Sequence, residues 1–554
     1  VDVAVAYESG SRLVVAPLTD GRPVQSRQLS IDHLDQLPSL VDAPPEQIRW
    51  VWADTRRIYP LLLDRRVRLA RCHDLRLCHA ILAGHHPALA ADDRWRRHEA
   101  VESEPTLLDD EPSDDLVDLD EVIAEHRRQQ EHLQPRPDLD DQERIRRAKL
   151  RLLLSAESAG ALIAAEMAHD GLPWDVQVHD QLLTEVLGPR PRYGERPARL
   201  QAVVDQLISA LDVGPFNPDS TVTLIDALHR AGIQVASTRK WELEKIDHPA
   251  IEPLLEYKKL SRLLSANGWT WMDTWITDGR FRPDYVVGGV VTGRWATDGG
   301  GALQLPKQIR SAARADPGWK LVVADASQLE PRVLAAMARD HRMADAARGH
   351  DLYQGLVDAG VVDTRAHAKV AMLGALYGAT TGFGGNLMPR LVQAYPRATA
   401  VVEEAARAGE RGEIVSTFLG RRSPRPPESW QELQRLAAGG DAPAEEVRRA
   451  RQQARDWGRF TRNFVVQGTA AEWALCWMAG LRQQLVDLGA PGARPHLVYF
   501  LHDEVIVHSP AGCAETAAEL IRRAAARAGR LLFGDSGVEF ALEVAIVDNY
   551  GQAK

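Results

Sequence analysis

The sequence predicts a multidomain α+β protein: a small α/β domain first, a helical middle, and a C-terminal region mixing strands with long helices. Three observations predict it. Residues 1–98 set short apolar strands between turns (VAVAY, RLVVAPL, IRWVWA) ahead of one helical stretch, LRLCHAILAG. From Arg144 to about 266, apolar residues recur at helical spacing, as in KLRLLLSAESAGALIAAEMA, AVVDQLISAL and IEPLLEYKKLSRLLS. After about 280 the runs LVVAD, HLVYFL and EVIVHS are interleaved with Ala-rich helices. A length of 554 residues suits several domains.

Apolar residues make up 45% and charged residues 26%, ordinary values for a chain that buries a core. No run of 18 apolar residues reads as a membrane span. The start, VDVAVAYES, has no basic region ahead of an apolar stretch, so no signal peptide is expected and the default location is cytoplasmic. Formal net charge is −10, which argues mildly against broad phosphate binding but says little about one cleft. Much of the acid lies in residues 102–121, which read with 99–145 as a charged linker or insertion. Residues 423–450, rich in Pro, Gly and mixed charge, read as a loop followed by a helix. Four cysteines are too few for a disulfide scaffold. Cys72-His73 and Cys78-His79 lack zinc-ligand spacing and read as a packed strand or helix.

Three segments carry chemistry. In WKLVVADASQLEPRVLAAMA the strand LVVA ends on Asp325. Ser327 is the expected helix N-cap, with Glu330 three residues later and Pro331 in the first turn. In HLVYFLHDEVIVHS two strands meet at a tight turn near His502 and Asp503, which puts Asp503 and Glu504 at the tip of a hairpin. In TRAHAKVAMLGALYG, Arg365, Lys369, Leu373 and Tyr377 recur every four residues and share a broad helix face. Two cations, an apolar side chain and a ring suit a ligand with a polyphosphate at one end and a flat base at the other. Two carboxylates on neighbouring strands suit two Mg²⁺ ions, the usual arrangement for displacement at phosphorus.

These segments resemble the signature motifs of family A DNA polymerases, the DNA polymerase I family. Asp325 to Arg332 (DASQLEPR) is similar to D-Y-S-Q-I-E-L-R. Arg365, Lys369, Tyr377 and Gly378 match R-x3-K-x7-Y-G. His502, Asp503 and Glu504 match H-D-E. TGRWATDGGGALQLPKQIR (292–310), GEIVSTFLGRRSPRP (412–426) and RFTRNFVVQGTAAE (459–472) resemble further family segments in the same order, as do EMAHDGLPWD and FNPDS upstream. The resemblance covers about residues 150–554. It implies a right-hand polymerase fold of palm, fingers and thumb behind an α/β ribonuclease H-like, exonuclease-type domain. The domains expected are 1–98 exonuclease-like, 99–145 linker, 146–280 thumb and start of palm, 281–345 palm, 346–458 fingers and 459–554 palm.

The resemblance also implies roles. Asp325 and Asp503 would hold two Mg²⁺ ions, with Glu504 supporting the primer terminus. Arg365 and Lys369 would contact the triphosphate, Lys369 as part of the catalytic set. Gln328, Tyr353, Leu373 and Tyr377 would line the nucleotide site, and Glu330 would crowd the sugar 2′ position. Arg294, Arg459, Asn463, Gln467 and His502 would contact DNA. The partners implied are primer–template DNA and deoxynucleoside triphosphates, bound by a bacterial or phage-encoded monomer. Ala326, Tyr353, Met372 and Leu373 depart from the family's Tyr, His, Asn and aromatic ring. At the N-terminus, CHDLRLCHAILA resembles the family's exonuclease segment F-D-T-x-L-A-x-Y-L-L. No D-x-E stands on the first strand, the next expected aspartate falls at Arg57, and 85–165 contains no Y-x-x-x-D. A retained fold without proofreading is expected. The alternatives are a polymerase whose other acids keep 3′–5′ exonuclease activity, a polymerase-like scaffold that binds DNA with weak catalysis, and a related single-chain RNA polymerase.

Overall fold

In the computed structural model, apolar alternation near the N-terminus folds into a six-stranded sheet. The structure describes all residues except 10–11, 96–116, 135–138, 193, 302, 304, 350, 379–381, 440–441, 491 and 554. The strands are β1 (Asp2–Ser9), β2 (Arg12–Thr19), β3 (Arg22–Pro23), β4 (Arg27–Ser30), β5 (Arg49–Trp52) and β6 (Cys72–Asp74). Their order is β3-β2-β1-β5-β6, with β4 also on β2; β1 runs antiparallel to β2 and parallel to β5. Period-two alternation sorts the side chains to two faces. Val3, Val5, Leu13, Val15, Trp50 and Trp52 pack on one side with Ile58, Tyr59 and Leu62 of α1 (Thr55–Asp64). Ala4, Ala6 and Val51 pack on the other. Asp54 caps α1, and Asp74 caps α2 (Leu75–Ala83) through the Leu77 N–H at 2.9 Å.

The expected linker contains a helix. α3 (Leu119–Leu133) opens with a capping box between Asp118 and Glu121, and its Val122 and Ile123 join the second face of the sheet. Between these and buried Leu133 its buried side chains are polar: Glu125 pairs with His79 at 2.9 Å, and Gln129 with His73 at 2.8 Å. A buried face completed largely by hydrogen bonds leaves little apolar periodicity in the sequence. Residues 102–116 of the acidic run lie outside the described residues. Cys72 and Cys78 are buried free thiols, and no group of three or more metal donors occurs among the described residues.

The long helix α4 (Asp141–Asp170) ends in an ionic cluster. Tyr59 Oη donates to Glu166 at 2.5 Å, and Arg482 donates to both Glu166 oxygens at 2.7 Å and to the Leu69 carbonyl at 2.6 Å. Leu162 of α4 sits in the core of the N-terminal sheet. The chain divides into two compact units, and all of residues 1–170 belong to the first, together with 284–298 and 322–546. The expected boundary near 146 thus lies within a helix packed on the N-terminal sheet. The second unit (171–283, 299–321, 547–554) is mostly helical. Helices Ala198–Leu211, Thr221–Arg230 and Ile251–Asn267 enclose Leu207, Leu211, Leu224, Leu228 and Leu254.

The first unit's C-terminal part builds a second sheet. Its strands are β7 (Trp319–Ala326), β8 (His496–Leu501), β9 (Glu504–Pro510) and β10 (Leu542–Val547), in the order β8-β9-β7-β10. Its helices include α5 (Leu329–Ala338), α6 (Leu352–Asp358), α7 (Arg365–Tyr377), α8 (Ala444–Leu485) and α9 (Ala514–Phe533). A short helix Glu428–Ala437, anchored by buried Trp430, forms inside the expected loop. No helix among the described residues is long and apolar enough to cross a membrane.

Glu472 of α8 is buried and accepts bonds from the Thr417 hydroxyl and, at 2.9 Å, the Leu419 N–H. Burial outweighs these bonds and raises its carboxyl to about 7. A carboxyl raised on folding binds more protons in the folded state between about pH 4.5 and 7. Stability should therefore fall across that window and level off above it, by about 3 kcal/mol in all. Glu472→Gln should flatten that slope in urea melts at pH 5 to 8.

Candidate active site

Strand β7 is apolar and buried from Leu321 to Ala324, and Asp325 follows half-buried. The hairpin β8–β9 closes with Leu501 opposite Glu504, leaving His502 and Asp503 as its two-residue turn. The Ala326 N–H donates to the Asp503 carbonyl at 2.9 Å. That bond joins the end of β7 to the hairpin tip and makes Asp325 and Asp503 neighbours. Both are half-buried, whereas Glu504 points into the protein at 3% exposure.

Two residues beside the aspartates take a left-handed backbone: His502 at φ 57° and Gln328 at φ 54°. Side chains with a Cβ adopt this region at a cost of about 1–3 kcal/mol, and such residues cluster at functional sites. Gln328 precedes α5 without a capping bond, so Ser327 is not the N-cap the sequence suggested. Ser327 Oγ instead donates to Glu543 of β10 at 3.2 Å. The turn is held by Arg332, which is fully buried. Its guanidinium donates to the carbonyls of Ser327 (2.9 Å), Ala347 (2.7 Å) and Glu539 (2.6 Å). Burial lowers its pKa.

Helix α7 starts at Thr364, whose hydroxyl accepts the His367 N–H at 3.2 Å, and stops at Gly378. Gly378 has φ +72°, and a Cβ there would stand 2.9 Å from Arg459 Cγ. The face expected from the four-residue spacing is the open one: Arg365 and Lys369 are exposed, Leu373 is half-buried and Tyr377 is 40% exposed, while Ala368, Ala371 and Met372 are buried.

Two clusters gather most of the expected residues. In the first, Glu330 accepts from Arg294 at 2.5 Å and from Tyr377 Oη at 2.8 Å. Burial, then Glu330's charge, raises the Tyr377 hydroxyl. His502 lies within reach of the same charges, and burial followed by Arg294 lowers its imidazole. In the second, Asp351 accepts from Arg365 at 2.5 Å, from Gln328 Nε2 at 3.0 Å and from the Tyr353 N–H at 3.0 Å. Burial opposes ionisation of Asp351, but its bonds from Arg365, the Gln354 N–H and Gln328 together outweigh it and hold the carboxyl low. The Arg365 guanidinium lies 5.7 Å from the Tyr353 ring centroid. Asp351 escaped the sequence reading because its visible signal, an acid just before a short helix, is that of an ordinary N-cap, which it also is.

Arg459, Asn463 and Gln467 line one stripe of α8 at four-residue spacing, with buried Phe464, Val465 and Val466 behind them. Gln467 Oε1 accepts from the Thr292 hydroxyl at 2.9 Å, and Arg459 pairs with Asp456. Asn463, between Arg459 and Gln467, is half-buried.

A model of the family described as DNA polymerase family A matches residues 194–552. The chain is 27% identical over 428 residues to the thermostable DNA polymerase I of Thermus aquaticus, spanning 69% of this chain and 46% of that protein. It is 27% identical over 358 residues to DNA polymerase I of Chloroflexus aurantiacus (56% of this chain, 35% of that protein). It is 30% identical over 319 residues to the thermostable DNA polymerase I of Thermus filiformis (52% and 35%). The chain thus spans less than half the length of these relatives. Among solved structures, the POL domain of Pol1 from M. smegmatis, in complex with DNA primer-template and dNTP, superposes with a TM-score of 0.67 at 19% identity. That match covers 100% of this chain and 95% of that one, and at this identity it shows a shared fold.

Proposed function

The chain belongs to DNA polymerase family A, and from that membership we propose that it extends a primer on a DNA template, adding deoxynucleotides to the 3′ end. The observation that carries this reading is the pairing of Asp325 and Asp503 at adjoining strand ends, in the unit that also presents the Arg365 and Lys369 face. In the proposed step the primer 3′-oxygen bonds to the α-phosphorus of the incoming triphosphate. The bond from that phosphorus to the β-phosphate bridging oxygen breaks, and pyrophosphate leaves.

With no group of three or more metal donors among the described residues, the two half-buried carboxylates suit Mg²⁺, which needs only one or two protein carboxylates; Asp325 and Asp503 would hold it. When bound, Mg²⁺ supplies Lewis-acid charge that makes the hydroxyl more acidic and shields the leaving group. Arg365 and Lys369 bind the triphosphate. Arg365 is held by Asp351, so it exchanges or shares that carboxylate when the nucleotide arrives. Tyr353, in the place of a family histidine, stacks against Arg365 instead of donating to phosphate. Leu373 offers an aliphatic surface to the sugar where the family has a ring. His502, Arg459, Asn463 and Gln467 contact DNA, and Glu504 supports the hairpin tip from inside.

Glu330 excludes the ribose 2′-hydroxyl, held in place by Arg294 and Tyr377. Glu330→Ala should raise ribonucleotide incorporation relative to deoxynucleotide by about tenfold or more, the scale of one steric contact. The reading is tested by extension of a 5′-labelled primer with Mg²⁺ and deoxynucleotides. Extension that required ribonucleotides would instead make the chain an RNA polymerase. DNA binding without extension would make it a scaffold. The N-terminal sheet is read as a ribonuclease H-like domain that has lost proofreading: Asp54 and Asp74 serve as helix caps, and Tyr7 Oη donates to the Arg57 carbonyl at 3.1 Å. Primer shortening without nucleotides would overturn that part alone. The activity is assigned to a cytoplasmic monomer.

A further inference from the structure

An open pocket of about 200 Å³ lies in the first unit, lined by neither Asp325 nor Asp503 and walled by the β5 and β6 strand starts and by α4, α8 and α9, with Ser155, Arg527 and Leu531 exposed at its rim. Much of its wall is small: Ala156 and Ala159 on α4, Ala479 and Gly480 on α8, Ala524 and Ala528 on α9. On α4 and α9 these positions keep three- or four-residue spacing, and on α8 Cys476 stands three and four residues before Ala479 and Gly480, so each helix turns one face to the same space. A Cβ added at Gly480 would meet nothing within 4 Å, so the room reaches the helix backbone. The space exceeds the roughly 150 Å³ of an apolar cavity that takes benzene.

The charge in this pocket is one-sided. Arg49, Arg71, Arg482 and Arg527 line it, and no carboxylate does. Arg482 is neutralised by Glu166. Arg71 Nε is buried with no acceptor. A buried donor left unpaired destabilises the fold, and a bound acceptor would relieve that. Guanidinium groups prefer planar or tetrahedral oxyanions.

We propose that this pocket binds a small organic anion: a ring-sized apolar body on the Ala and Gly walls, with a phosphate or carboxylate on Arg71, flanked by Arg49 and Arg527. The site is independent of the polymerase reading. Calorimetry of the full chain with phenyl phosphate and with benzoate tests it and separates the two head groups. At least one probe should bind saturably. Arg71→Met should weaken that binding at least tenfold. Gly480→Leu, which fills the pocket from a helical position, should abolish it. Primer–template affinity should be the same in wild type and both variants. Saturable binding of neither probe, or equal binding by wild type and Gly480→Leu, would overturn the proposal.

Discussion

Asp325→Ala should lower primer extension at least about a thousandfold while leaving primer–template affinity within about twofold. A carboxylate that holds a catalytic cation contributes several kcal/mol to the transition state, and about 4 kcal/mol is a thousandfold in rate. In the proposed reading DNA affinity rests on other groups, the cationic and polar stripe of α8 among them, so it should persist. The site favours a clean result, because Asp325 is half-buried at a strand end and its removal opens no core cavity. Asp503→Asn, in the hairpin turn, should behave alike. The measurement is single-turnover extension beside equilibrium DNA binding at fixed salt, since phosphate contacts make affinity salt-dependent. An Asp325→Ala rate equal to wild type would remove the metal assignment.

The largest effect on stability is expected from Arg482→Met. Arg482 and Glu166 are each about 10% exposed at the side chain, and Arg482 also ties α8 to the Leu69 and Ala70 carbonyls. Removing the cation leaves the buried carboxylate only the Tyr59 hydroxyl and Arg68, 3.7 Å away, and should cost about 3–5 kcal/mol. Burial alone would raise the Glu166 carboxyl, but Arg482 outweighs it and holds it below its usual range. A carboxyl depressed on folding stabilises above its unfolded pKa of about 4.3–4.5, and that stabilisation is lost as pH falls through the folded value. Urea melts followed by tryptophan fluorescence at pH 7 should show the loss, with Trp50 and Trp52 reporting on the adjoining core. Glu166→Gln with Arg482→Met should recover part of it, because the stranded charge is then gone. A single substitution that costs under 1 kcal/mol would mean that water reaches the pair.

The catalytic segments were legible because each rests on local geometry. Strand LVVA, the hairpin turn at 502–503 and the four-residue spacing of Arg365, Lys369, Leu373 and Tyr377 all follow from backbone periods of two and 3.6. Where buried faces are polar, the period vanishes. Helix Leu119–Leu133 hides Glu125, His126 and Gln129, and so read as linker. Ser327 illustrates a competition among local signals. It has the cap residue's chemistry, but Arg332 claims its carbonyl and Glu543 its hydroxyl, so the helix begins after a strained Gln328.

By itself the sequence determined the alternation of strands and helices, the two aspartates at strand ends, and the cationic helix face, since these depend on residues close in the chain. Only the tertiary structure decided which distant groups meet: Asp325 with Asp503, Glu330 with Arg294 and Tyr377, Arg365 with Asp351, Glu166 with Arg482. Such pairs join residues up to 316 apart. A carboxylate's partner is set by which strands and helices pack against it, because burial leaves it no water and the nearest cation must serve.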